Sequence, residues 1–201
     1  MSDFPIALHG ERVTAVVIGG GAVGARKALA LADAGAQVRV VAPEISADLD
    51  DAMRDGRIAV TRGTYSREQL QHAQLVIAAT DSREVNASIA VDAHSLGKLV
   101  NIADFPDEGN FHTMALHRSG DVTIAVSAGG VPGAAARIRD AIAARFDGRY
   151  ERAISALRGL RSRLIERGDE RWRDAAPKLI ADDFCTSVED GSFSERIESW
   201  R

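Results

Sequence analysis

The chain has 201 residues, 45% of them hydrophobic and 27% charged, a globular composition that excludes wholesale disorder. Its formal net charge of −4 counts against a nucleic-acid partner, because domains that grip a polyanion are usually basic. The single cysteine, Cys185, excludes an intramolecular disulfide and a cysteine-based zinc site, and no apolar stretch is long enough for a signal h-region or a membrane span, so a soluble cytoplasmic protein with no membrane partner is expected.

Strand and helix signals alternate through the first half. Residues 13–18, Val-Thr-Ala-Val-Val-Ile, read as a buried strand. Gly19-Gly20-Gly21 breaks the run, an Ala/Leu-rich helix follows over 22–34, and Gly35 stops it. Further strands are predicted at 37–41, 58–61, 75–79 and 99–102. Helices are predicted at 47–54, 67–72 and 82–96. This βαβ alternation predicts an α/β fold, a Rossmann-like doubly wound parallel sheet with right-handed crossovers.

The rhythm changes near Gly109. Residues 111–117 and 122–127 read as two strands around a Ser119-Gly120-Asp121 turn, a hairpin rather than another βα unit. Helices are predicted at 134–146 and 150–167, the second with Ile154, Leu157, Leu160 and Leu164 at helical spacing. The remainder reads as one or two short helices and a loose tail that includes Cys185. Between 137 and 173 there are eleven arginines against six acids, whereas residues 1–110 are acidic, so the two halves are expected to be different working parts.

Three places carry chemistry. Gly19-x-Gly21-x-x-Gly24 lies between a strand and a helix, the context of a dinucleotide loop: Gly19 for the tight turn, Gly21 for approach of the pyrophosphate, Gly24 for helix packing, with Ala22 and Val23 at the helix end that faces the phosphates. The ribose-binding position falls at Pro43-Glu44, where Glu44 is either a ribose ligand or a solvated loop acid; Arg26 and Lys27 leave the 2′-phosphate question open. Thr80 and Asp81 end the fourth strand, where they border the cofactor, cap the next helix, or do both.

Asp104 closes the fifth strand at the same edge of the sheet. It is either an acid–base group beside a hydride transfer or a turn aspartate of Asp104-Phe105-Pro106-Asp107. Ser127-Ala128-Gly129-Gly130-Val131-Pro132-Gly133 precedes a helix. It reads either as a receptor for a carboxylate, helped by Arg137 and Arg139, or as a plain strand-to-helix turn. The five histidines are scattered and predict no metal site, and Cys185 has no evident base.

Several of these motifs occur together in one known family. Phe4-Pro5-Ile6, Gly19-Gly20-Gly21-Ala22-Val23-Gly24-Ala25-Arg26-Lys27, Ala78-Ala79-Thr80-Asp81, Val85-Asn86, Asn101 with Asp104, and Ala125-Val126-Ser127-Ala128-Gly129-Gly130 stand in an order and spacing that resembles precorrin-2 dehydrogenase, the dehydrogenase/ferrochelatase module of siroheme synthase. The resemblance covers about residues 4–165 and not the methyltransferase domain fused to some members. It implies NAD-dependent oxidation of precorrin-2 to sirohydrochlorin, with Fe2+ or Co2+ chelation in some members. It implies a homodimer made of a Rossmann domain (1–110), a dimerisation region (111–148) and a helical C-terminal region (149–201). It further implies that Ala22-Val23 and Pro43-Glu44 contact NAD, that Asp104 is the catalytic acid/base, and that the arginine-rich half meets a polycarboxylate substrate. Met114, Ala128 and the Val131-Pro132-Gly133 order depart from the usual pattern, all in the tetrapyrrole half. Those departures motivate an alternative from a different class: a non-catalytic NAD-sensing module whose helical region binds a partner protein.

Overall fold

The computed structural model describes residues 3–166 and 170–200. The chain divides into two compact units, with the boundary between His112 and Thr113.

In the first unit, β1 (Thr14–Ile18), α1 (Ala22–Asp33), β2 (Gln37–Ala42), α2 (Ala47–Arg54), β3 (Ala59–Arg62), β4 (Leu75–Ala78), α3 (Arg83–Ser95) and β5 (Leu99–Ile102) follow one another. The five strands form one parallel sheet in the order β3-β2-β1-β4-β5. The apolar runs are continuous because both faces of the sheet are covered. Alternate residues of β1 serve opposite cores: Ala15 and Val17 meet α1 and α2 through Ala25, Ala28 and Leu49, while Val16 and Ile18 meet α3 through Ile89, Ala90 and Ala93. Beyond β5 the chain folds back on that edge strand: Val100 donates to Asn110 Oδ1 at 2.7 Å and Asn110 donates to the Val100 carbonyl at 2.9 Å.

Element types in this unit agree with the periodicity, and most ends lie within a residue or two. The 67–72 segment is shorter than expected, a 3-10 turn over Arg67–Leu70 held by a capping box from Ser66 and Gln69.

The second unit begins with a hairpin, β6 (Ala115–Ser119) antiparallel to β7 (Val122–Val126). The strand expected from 111 starts only at Ala115, because Phe111 instead packs into the core of the first unit and presents its carbonyl to Asn101. Next come α4 (Pro132–Ala143) and α5 (Gly148–Glu166). α4 starts two residues earlier than predicted, with Pro132 in its first turn, a position that needs no N–H donor. The predicted extension of the second helix to Arg167 lies outside the described residues.

The expectation of a loose tail is incorrect. α6 (Arg171–Leu179), α7 (Phe184–Asp190) and α8 (Phe193–Glu198) pack on one face of α5. That face is Tyr150, Ala153, Leu157, Leu160 and Leu164, spaced three and four apart, and it meets Ala175, Leu179, Val188, Phe193 and Ile197. Ala175 with Leu179 and Phe193 with Ile197 are spaced four apart, but these helices are only nine, seven and six residues long, too short for a sustained helical period to stand out in sequence. Cys185 belongs to the same core, partly buried rather than set in a polar tail. Polar groups fasten α7: the Tyr150 hydroxyl donates to Glu189 Oε1 at 2.7 Å, Arg145 Nε donates to the same oxygen at 2.6 Å, and Arg149 Nη1 reaches the Glu189 carbonyl at 3.0 Å. The Arg145 hydrogen bond, then that of Tyr150, holds the Glu189 carboxyl below the usual range, while burial and the same carboxylate push the Tyr150 phenol up.

Leu160 is almost fully buried at the centre of this stripe. Leu160→Ala is expected to cost roughly 3 kcal/mol. Urea unfolding followed by the fluorescence of Trp172 and Trp200, both in this unit, checks it.

Candidate functional site

The ladder continues past the strand ends and aligns four loops along one edge of the sheet. Gly19 donates to the Val41 carbonyl at 2.9 Å, Ala79 to that of Ile18 at 2.8 Å, and Ala103 to that of Ala78 at 2.9 Å. Gly19–Gly21, Pro43-Glu44, Thr80-Asp81 and Asp104 therefore share the carboxyl edge, across the point where the strand order reverses between β1 and β4.

The glycine loop is set by backbone contact. Gly19 has φ +121°, and a Cβ on it would lie 2.2 Å from the Ala79 carbonyl oxygen. A Cβ on Gly24 would lie 2.2 Å from the Gly19 oxygen, so α1 rests directly on the loop. Gly20, given no role in the sequence reading, is equally constrained: a Cβ there would lie 2.0 Å from the Glu44 carbonyl oxygen, and its own carbonyl accepts from the Ser46 N–H at 2.9 Å. This contact locks the glycine loop to the loop after β2, a pairing of distant segments that local pattern does not reveal.

Gly21 is different. A Cβ there would meet nothing within 4 Å, and Gly21 is exposed as the N-cap of α1, along with Ala22 and Val23. Gly21 supplies no side-chain cap, and α1 has no acid in its first turn, so the positive end of the helix dipole is not neutralised by its own residues. Open space before a backbone turn, aimed by an uncapped helix, fits the pyrophosphate of a dinucleotide. Lys27, one turn further on, is half-buried, and burial together with the neighbouring Arg26 charge lowers its pKa.

Glu44 and Pro43 are exposed two and one residues past β2. Asp81 is exposed too. Neither Thr80 nor Asp81 caps α3; Ser82 does, accepting from Val85 N–H at 3.3 Å. Thr80 is occupied by Asn86, which is completely buried. Asn86 Oδ1 accepts from the Thr80 hydroxyl at 2.7 Å and from the Thr80 N–H at 3.2 Å. Asn86 Nδ2 donates to the Thr80 carbonyl at 3.1 Å and to Asp104 Oδ1 at 2.9 Å.

Asp104 thus accepts a hydrogen bond from a buried amide. Its side chain is 36% exposed, and its other oxygen, Oδ2, stands 4.0 Å from Arg83 Nη1. Arg83 is engaged elsewhere, ion-paired to Glu108 and lying over the Phe105 ring at 5.0 Å. The parts played by Asn86 and Arg83 are missing from the sequence reading; a buried Asn in the first turns of a helix, 18 residues before an acid, carries no local signal.

Ser127, Gly129 and Gly130 belong to the second unit and lead into α4, on which Arg137 lies. Gly129 and Gly130 have φ +55° and +82°, and a Cβ on either would meet nothing within 4 Å. Arg137 is exposed, whereas Arg139 is paired with Asp140 at 2.5 Å. Arg145, Arg149, Arg158 and Arg196 are likewise paired, with Glu189, Asp147, Asp121 and Asp183, so part of the arginine excess is structural. Among the described residues no group of three or more His, Cys, Asp or Glu could hold a metal ion, and no helix is long and apolar enough to cross a membrane.

A family model described as "Putative NAD(P)-binding" matches residues 6–115. The siroheme synthase of Nitrosococcus oceani is 32% identical over 197 residues, 98% of this chain and 41% of that protein. The siroheme synthase of Chromobacterium violaceum is 38% identical over 140 residues, 69% of this chain and 30% of that protein. The chain therefore spans well under half the length of these curated relatives. Among solved structures, SirC, precorrin-2 dehydrogenase, superposes with a TM-score of 0.78 at 26% identity, over 98% of this chain and 100% of that one.

Gly21→Ala tests the dinucleotide site directly. With open space around the new methyl group the fold is expected to be retained, while the methyl obstructs the phosphates and weakens NAD about tenfold or more, roughly 1.4 kcal/mol. Calorimetric titration with NAD, alongside an unchanged melting temperature without it, is the check.

Proposed function

The chain belongs to the NAD(P)-binding family, whose model spans residues 6–115, and from that premise we propose that it is an NAD-dependent dehydrogenase that oxidises precorrin-2 to sirohydrochlorin in siroheme biosynthesis. The observation that carries this reading is the match to SirC over essentially the full length of both chains, since a shared Rossmann half alone would leave the substrate open. Relatives named siroheme synthase support the same pathway.

In this reading the glycine loop and the start of α1 hold the pyrophosphate, through Gly19, Gly21, Ala22, Val23 and Gly24. Pro43 and Glu44 hold the ribose, and Thr80 and Asp81 line the floor. NAD, when bound, supplies the hydride acceptor. Asp104 takes the proton, so precorrin-2 gives up a hydride and a proton for each NADH formed. Oδ1 of Asp104 is occupied by Asn86, which leaves Oδ2 as the oxygen that carries the proton. In the second unit, Ser127, Gly129, Gly130 and Arg137 bind substrate carboxylates: two glycines in the left-handed region expose backbone donors, and a guanidinium matches a carboxylate fork.

The reading includes a homodimer. The hairpin packs against α4 and α5, yet no residue of β6 or β7 is fully buried and Leu116 is exposed, so a second copy covering its outer face would bury further apolar surface.

Anaerobic incubation of the protein with precorrin-2 and NAD is expected to produce NADH. Asp104→Asn is expected to lower the rate by at least about a hundredfold while NAD binding is retained. Unchanged turnover in that variant would remove Asp104 from the mechanism. Adding Fe2+ or Co2+ to the product mixture tests chelation through the change in the macrocycle's absorbance.

A further inference from the structure

We propose that Asn86 is a positioning residue: it fixes the rotamer of Asp104 by donating to Oδ1, keeps Oδ2 free for proton transfer, and ties that carboxylate to the loop at Thr80. The inference rests on the reading of Asp104 as the acid–base group.

A carboxylate at the end of a strand has freedom about two side-chain torsions, and a base must be held to within a fraction of an ångström to work. The backbone of residue 104 does not supply that, because β5 ends at Ile102. Asn86 does. It sits on the first turns of α3, capped by Ser82, and its side chain has no solvent exposure. All four of its hydrogen bonds are internal, three to Thr80 and one to Asp104. A fully buried amide with this coordination has one orientation, since rotating it by half a turn would set its Nδ2 against the Thr80 N–H and its Oδ1 against the Asp104 carboxylate.

The amide therefore acts as a polar rivet between β4 and β5. One end reads the backbone of Thr80, at the strand end that borders the cofactor site, and the other aims the base. Arg83 completes the arrangement from the opposite side. It is the closest cation to Oδ2, but its ion pair with Glu108 and its stacking on Phe105 hold it at 4.0 Å, beyond hydrogen-bond reach. Oδ2 is thus the carboxylate oxygen left without a hydrogen bond to the described residues, on a side chain that is partly exposed.

The pairing predicts its own reversal. Asn86→Asp keeps an acceptor for Thr80 but sets two carboxylates against each other. Exchanging the partners in Asn86→Asp/Asp104→Asn restores one donor and one acceptor across the same gap. Thermal unfolding of the NAD-free wild type, both single variants and the double variant is measured first, since it does not depend on turnover. Asn86→Asp is expected to lower the melting temperature, and the added Asp104→Asn to recover at least half of the loss; strictly additive losses would overturn the tie between the two residues.

Turnover with precorrin-2 and NAD is then compared for Asn86→Ala in the wild-type and Asp104→Asn backgrounds, which also serves if Asn86→Asp fails to fold. Asn86→Ala is expected to lower kcat about tenfold or more in the wild-type background, with KM for NAD within about threefold, and to cost little once Asp104 is gone. An equal loss in both backgrounds, or a loss confined to KM, would show that Asn86 merely supports the loop and would overturn the positioning role. Absence of NADH formation by the wild type would refute the proposed reaction and the catalytic part of this inference together, whereas the unfolding cycle would still decide whether Asn86 holds Asp104.

Discussion

Backbone packed on backbone at the carboxyl edge of the sheet is the constraint from which the first unit's site follows. Gly24 lies against Gly19, Gly19 against Ala79, and Gly20 against Glu44, each so close that a methyl group would lie about 2 Å from a carbonyl oxygen. These contacts draw the loops after β1, β2 and β4 into one arrangement before any side chain is considered. Within this loop Gly21 instead faces open space, so the same loop is fixed where it meets protein and open at the start of α1. Such preorganisation reduces the conformational entropy lost when a dinucleotide binds.

Side-chain polarity completes what the backbone begins. Thr80 lies in the loop after β4 and Asp104 just past β5, and the buried amide of Asn86 joins them. A buried polar group is costly unless fully bonded, and here every side-chain hydrogen bond of Asn86 ends on one of those two residues. The elements that make the Rossmann half stable thereby also define the geometry of its acid.

The second unit follows a different principle. Its stability comes from one helix, α5, whose apolar stripe collects three short helices that could not stand alone. Glu189 binds Tyr150, Arg145 and Arg149 at once, so arginines that look in sequence like a solvated or ligand-seeking cluster partly serve as internal fastenings. Arg137 remains exposed near the paired glycines of the loop into α4.

The sequence by itself determined the order of elements in the first unit, the glycine loop and the position of Asp104 at a strand end. Those features are local: a four-to-six-residue apolar run, a glycine spacing, an acid just after a strand. Tertiary structure decided the rest. It showed that Gly20 is held by the loop after β2, that Ser82 rather than Thr80 or Asp81 caps α3, that the C-terminal segment is three packed helices, and that Asn86 grips Asp104. The Ser82 cap is local, one of several cap candidates that only the folded helix start decides; the others depend on residues brought together from separate elements, 18 apart for Asn86 and Asp104 and 39 apart for Tyr150 and Glu189, and a hydrogen bond of that kind leaves no periodic trace along the chain.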